Sequence, residues 1–188
     1  MDRPATFPPR SNESLAFEEF WKSLRLGDLV PRRSDFHPRK AARFLKDVLF
    51  MEAPSRPLAA GRIRVTGDRF NEIAGADWMG RDDVDFFPPS YQADALASRR
   101  LMIENPCGLW QISPARLAKG HIVNLQITAF PLAPDDGDTF FLLCQVLAVP
   151  GVIGTCPPAR AGMTLDTASA FSFLDIGAGE PEWTPKAA

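Results

Sequence analysis

Hydrophobic positions recur along this chain with two periods, and the change from one to the other separates helices from strands. Phe17, Phe20, Trp21 and Leu24 fall at i, i+3, i+4 and i+7, with Glu18, Glu19 and Lys22 off that stripe. The spacing predicts an amphipathic helix that starts after Ser14, a candidate cap, and ends at Gly27. Pro38 suits a first helical position, and Ala41, Leu45, Val48 and Leu49 predict a second helix with Arg39, Arg43 and Lys46 on another face. The pattern turns β-like over residues 47–52, before Pro54 and Pro57. Ile63 and Val65 then alternate with Arg62, Arg64 and Thr66 in a second strand, which Gly67 breaks. Asp68 is expected to cap a two-turn helix that buries Phe70, Ile73 and Ala74 and stops at Gly75. After Trp78, Met79 and Gly80, an apolar patch of Val84, Phe86 and Phe87 stands beside Asp82, Asp83 and Asp85, and a longer helix runs from Pro88 or Pro89 to about Glu104.

The last third reads as three antiparallel strands. In the first, residues 107–113, Leu109 and Gln111 alternate with Trp110 and Ile112. In the second, Val123, Leu125, Ile127 and Ala129 share one face, and Asn124, Gln126 and Thr128 the other. The third, residues 140–149, is apolar on both faces and so needs a cover on its outer side, for which the aromatic helix at 17–24 is the best candidate. The acidic turn at 135–138 joins the last two strands as a hairpin. Beyond Pro150 the composition shifts to Pro, Gly, Ala and Thr with one apolar island at 171–176. The expected organisation is therefore a loose tail at 1–13, one α+β domain at 14–149, and an extension at 150–188 that packs on the domain or trails from it.

Composition narrows the function classes. At 188 residues one core suffices, and 45% hydrophobic with 23% charged residues is ordinary for a globular chain. The longest apolar run is well short of the ~20 residues a spanning helix requires, so no membrane association is expected. The N-terminus carries prolines and charges where a secretory signal would be apolar, which predicts a cytoplasmic location. Cys107, Cys144 and Cys156 are odd in number and far apart, which suits reduced thiols. A net charge of −2 argues against nucleic-acid binding, yet Arg32, Arg33, Arg39, Lys40, Arg43 and Lys46 cluster against a single acid, Asp35, between residues 31 and 46. Arg32, Arg33, Arg39, Lys40 and Arg43 form a candidate anion-binding or partner-binding face, with a solvated surface as the plainer alternative.

Reactive constellations are sparse. The segment GADWMGRD at 75–82 lacks the Lys and the Ser or Thr of a phosphate loop, and Gly177 and Gly179 precede Pro181, so no helix opens on them. Of the two histidines, His37 and His121, only His121 could be aimed at a cavity from its strand, and no partner ligand accompanies it. Cys107 lacks the polar setting of a flavin-linked light sensor, and the two aspartate runs lack the spacing of a calcium loop and read as solvated acids. No GxSxG or HExxH is present. No cofactor or catalytic residue is expected. What remains is the aromatic set Phe70, Trp78, Phe86 and Trp110 with Leu125 and Ile127, which either lines an apolar small-molecule cavity or packs a solid core.

The order helix, strand, strand, short helices, long helix and three-strand meander is that of the PAS fold. The chain resembles in particular a bacterial family of stand-alone PAS-like proteins, through Trp21, Leu24 and Arg25; Pro31, Arg32, Arg33, Asp35 and Pro38; Arg64, Gly67, Asn71, Gly75 and Gly80; and the Pro131-Leu132 pair before the hairpin. The resemblance spans residues 17–149 and implies a five-stranded antiparallel sheet wrapped by helices around an inner cavity, used for ligand sensing or protein contact without catalysis. The expected function is a sensory or regulatory module without an output domain. It would bind a small apolar ligand, a protein partner or a second copy, with Phe17, Phe20, Trp21 and Leu24 as lid or contact. A receptor for a phosphorylated nucleotide-type signal at the cationic face is the second reading, and an enzyme using the cavity the third.

Overall fold

The computed structural model describes residues 9–54, 60–158 and 162–183. Its elements are α1 (Asn12–Lys22), β1 (Val48–Pro54), β2 (Ile63–Thr66), α2 (Asp68–Ala74), α3 (Pro89–Glu104), β3 (Cys107–Arg116), β4 (His121–Leu132), β5 (Thr139–Thr155), β6 (Thr164–Leu165) and β7 (Ala170–Asp175), with 3-10 turns at Arg33–Asp35, Leu45–Asp47 and Asp83–Phe86. All strands join one antiparallel sheet in the order β2-β1-β5-β4-β3-β6, with β7 also on β3. The five expected strands are present, and the extension adds two more. The described stretches after residue 150 therefore extend the sheet. β5 runs on to Thr155, and most of the apolar island at 171–176 becomes β7, which pairs with β3 from Cys107 to Ile112.

The N-terminal helix begins earlier than its apolar stripe suggests. Ser11, not Ser14, is the cap, its hydroxyl accepting from the Ser14 N–H at 3.2 Å. Ser14 lies inside the helix, buried, its hydroxyl 2.7 Å from that of Thr128 on β4. Ser11 also bonds Gln126, so the polar face of β4 anchors the first turn of α1 and residues 11–13 belong to the domain; residues 1–8 of the expected tail lie outside the described residues.

The expected helix from Pro38 does not form. Lys40, Ala41, Phe44 and Asp47 donate to carbonyls three residues back, and Ala41, Phe44 and Asp47 are the buried positions. That burial period of three is the period of 3-10 turns. Leu45, assigned above to the buried stripe, is 36% exposed. So short a segment, about to turn into β1, cannot hold an α-helix by propensity alone. Gly67, rather than Asp68, caps α2, and it is glycine because of crowding: a Cβ there would stand 2.2 Å from the Leu45 carbonyl oxygen. Gly75 ends α2 in the left-handed region at φ 70°, as its type predicts.

The sheet carries a core on each face. On the outer face Phe17, Trp21 and Leu24 pack against Phe130, Leu132 and Leu143. Trp21 stacks on Phe130 at 4.9 Å and donates Nε1–H to the Pro131 carbonyl at 2.9 Å. The cover expected for the apolar β5 is therefore α1, which spans β4 as well. On the inner face the sheet faces α2, α3 and the 3-10 turn at Asp83–Phe86.

Candidate ligand-binding site

A half-open cavity of about 100 Å³ lies on the inner face. Strand alternation supplies its floor: Leu125, Ile127 and Ala129 from β4, Leu109 and Gln111 from β3, and Leu142, Cys144 and Val146 from β5. Its roof is Phe70 of α2, Phe86, and the face of α3 carrying Tyr91, Ser98, Arg99 and Met102. Met163 and Leu165, from the stretch beyond residue 150, complete the wall.

Of the six aromatic and aliphatic candidates, Phe70, Phe86, Leu125 and Ile127 meet at this cavity. Trp78 stands behind it, stacked on Phe86 at 4.0 Å. Trp110 does not reach it: it occupies the opposite face of β3 with Ile112 and Ala170, because the alternation that turns Leu109 and Gln111 inward turns Trp110 out. His121 and His37 are exposed, and among the described residues no group of three potential ligands could hold a metal ion. Burial pushes the Cys144 thiol up to about 12, with the Asp83 charge adding to it, so this cavity thiol stays protonated.

The wall contains one charged feature that the sequence reading placed in solvent. Asp83 is buried and paired with buried Arg99, and its other oxygen accepts the Gly61 N–H at 2.6 Å. The Asp83 N–H in turn donates to the Gly61 carbonyl at 2.8 Å. Asp83 thus ties the approach to β2 to α3. Burial raises its carboxyl above the ordinary carboxylate value, against the lowering by Arg99 and by the Gly61 N–H. The signal for this pair lay in α3, where Arg99 shares the face of Tyr91, Ala95, Ser98 and Met102. A cation on a helix face that is otherwise buried requires a buried partner.

The cationic candidates Arg32, Arg33, Arg39, Lys40 and Arg43 are all exposed, but on turns and not on one helical stripe. Arg32 lies 3.7 Å from Asp28, and the guanidinium groups of Arg33 and Arg43 stand over the rings of Phe141 and Phe44. Of the candidate contact residues, Phe17, Trp21 and Leu24 are spent against the chain's own sheet and only Phe20 stays half-open. A partner can meet their apolar face only if α1 lifts.

A curled antiparallel sheet with helices across its inner face and a cavity between them defines a sensor-type α+β domain. Residues 9–146 match the PAS domain family, and the chain belongs to it. The chain is thereby placed among sensory and regulatory modules. No curated protein matches the chain. Among the described residues, no helix is long and apolar enough to cross a membrane. Met163 and Leu165 lie beyond the matched region, so residues outside it form part of the cavity wall.

Proposed function

We propose that this PAS domain is a non-catalytic, cytoplasmic sensor that takes a small apolar molecule into the inner cavity and passes its occupancy to a protein partner or a second copy. The observation that carries the reading is the cavity itself, with apolar side chains from five strands and two helices converging on it. Its volume of about 100 Å³ favours a small ligand, by comparison with the ~150 Å³ apolar cavity that accommodates benzene. The occupant is about the size of one aromatic ring and contacts Phe70, Phe86, Leu125 and Ile127. It is uncharged, because Arg99 and Asp83 already neutralise each other and a third charge would be buried without a partner. Occupancy is relayed through α3, which forms the roof and is fastened through Asp83 to Gly61.

Benzene is the probe. At ten times its Kd it should stabilise the fold by about 1.4 kcal/mol, a rise in melting temperature of roughly 3–6 °C. Ala129→Leu, which projects into the cavity from β4, should abolish the rise while the variant still melts cooperatively. An equal rise in the variant places the binding elsewhere, and no rise in either protein means the interior takes no such ligand.

A further inference from the structure

The outer face of the sheet carries a second concavity that no element of the described chain fills. α1 covers β4 and β5, and next to it, at the β2 edge, a groove of about 660 Å³ has Phe36, Val48, Phe50 and Val65 along its floor and Leu45 on its wall. Two of these side chains remain in water, Val65 at 50% and Leu45 at 36% exposure. Arg33 and Lys46 stand at the rim, and Arg39, Lys40 and Arg43 are exposed on the adjoining turns. No ion pair among the described residues engages any of these five cations, and Asp68 is the one acid lining the groove.

We infer that this groove is the docking site for an acidic amphipathic helix of a partner protein, laid beside α1 with its apolar side chains on Phe50 and Val65 and its carboxylates against Arg33 and Lys46. Charge selects the occupant. A second copy related by a two-fold axis would set this cationic segment against itself, and like charges facing each other disfavour the complex. The chain's own undescribed segments, residues 1–8, 55–59, 159–161 and 184–188, carry no net negative charge, so none of them complements the rim. An apolar floor with a cationic border is what a helix with leucines on one face and glutamates on its flanks requires. The groove and the inner cavity lie on opposite faces of the sheet, and this inference holds whether or not the cavity takes a ligand.

The test uses the full chain and a fluorescently labelled synthetic helix-forming peptide of about 14 residues, with leucines at i, i+3, i+4 and i+7 and glutamates elsewhere. A matched peptide carries lysines in place of the glutamates. Anisotropy should show saturable binding of the acidic peptide, roughly tenfold tighter than that of the basic one, and weakening as salt is added. Arg33→Glu with Lys46→Glu should reverse the preference, and Val65→Asp should remove binding of the acidic peptide; these positions are exposed, so the variants should keep the parent's melting temperature. The inference is overturned by absence of saturable binding of the acidic peptide, by equal binding of both peptides, or by binding indifferent to Val65→Asp. It is also overturned if sedimentation finds a dimer that Val65→Asp dissociates, which would make a second copy the occupant.

Discussion

Trp21→Ala is expected to reduce the free energy of unfolding by about 3–5 kcal/mol, read from urea denaturation. Trp21 is fully buried, stacks on Phe130, donates to the Pro131 carbonyl and lies under the guanidinium of Arg25 at 4.6 Å. Truncation leaves a void and deprives a carbonyl on β4 of its donor in a buried region. Such a loss is a large part of the ~5–15 kcal/mol that holds a domain together. Trp21→Phe, which keeps a ring on Phe130 and loses only the indole and its bond, should cost about 1–3 kcal/mol. The pair of variants separates two views of α1. A structural cover gives these costs in the isolated chain, whereas a detachable lid gives a loss below about 1 kcal/mol for Trp21→Ala.

Arg99→Met is expected to destabilise the domain by about 3–5 kcal/mol, because it leaves the Asp83 carboxylate buried without its cation. Arg99→Met combined with Asp83→Leu should cost less than the single change. The remaining penalty is the Gly61 N–H, which loses its acceptor, about 1–3 kcal/mol. The pH dependence follows from the raised carboxyl value. Between the unfolded carboxylate pKa and the higher folded one, the folded chain holds a proton that the unfolded chain has released. The contribution of Asp83 is therefore fully present below the unfolded value and is lost as pH rises through the folded one. Arg99→Met removes the opposing charge and should carry that decline to higher pH, while Asp83→Asn should flatten it. Stability rising over the same window would mean that pairing with Arg99 outweighs burial and lowers the carboxyl below its unfolded value.

These residues also mark where the sequence could be read and where it could not. The strands were legible because alternation in β4 is strict, and the floor positions Leu125 and Ile127 followed directly from it. Trp110 was misplaced through its size: a tryptophan invites assignment to a cavity, but the parity of β3 sends it to the outer face with Ile112. The segment at 38–47 was read with the wrong period, since Ala41, Phe44 and Asp47 repeat every three residues and not every three and a half. Asp83 looked like one of three solvated acids, and only long-range pairing with Arg99, sixteen positions along the chain, distinguishes it from Asp82 and Asp85. The tail of the chain was the least legible part. Its Pro and Gly content gave no sign that β7 would pair with β3 or that Met163 and Leu165 would close one side of the cavity.

The methionines offer the most direct test of whether the interior is a ligand site. Met51, Met102 and Met163 line the cavity, whereas Met79 is 60% exposed and is not among the lining residues. With methyl-labelled methionine in the full chain, titration with benzene should shift the signals of Met51, Met102 and Met163 along one saturable curve and leave Met79 unmoved. Shifts confined to Met79, or no saturable change at the three cavity methyls, would contradict the account.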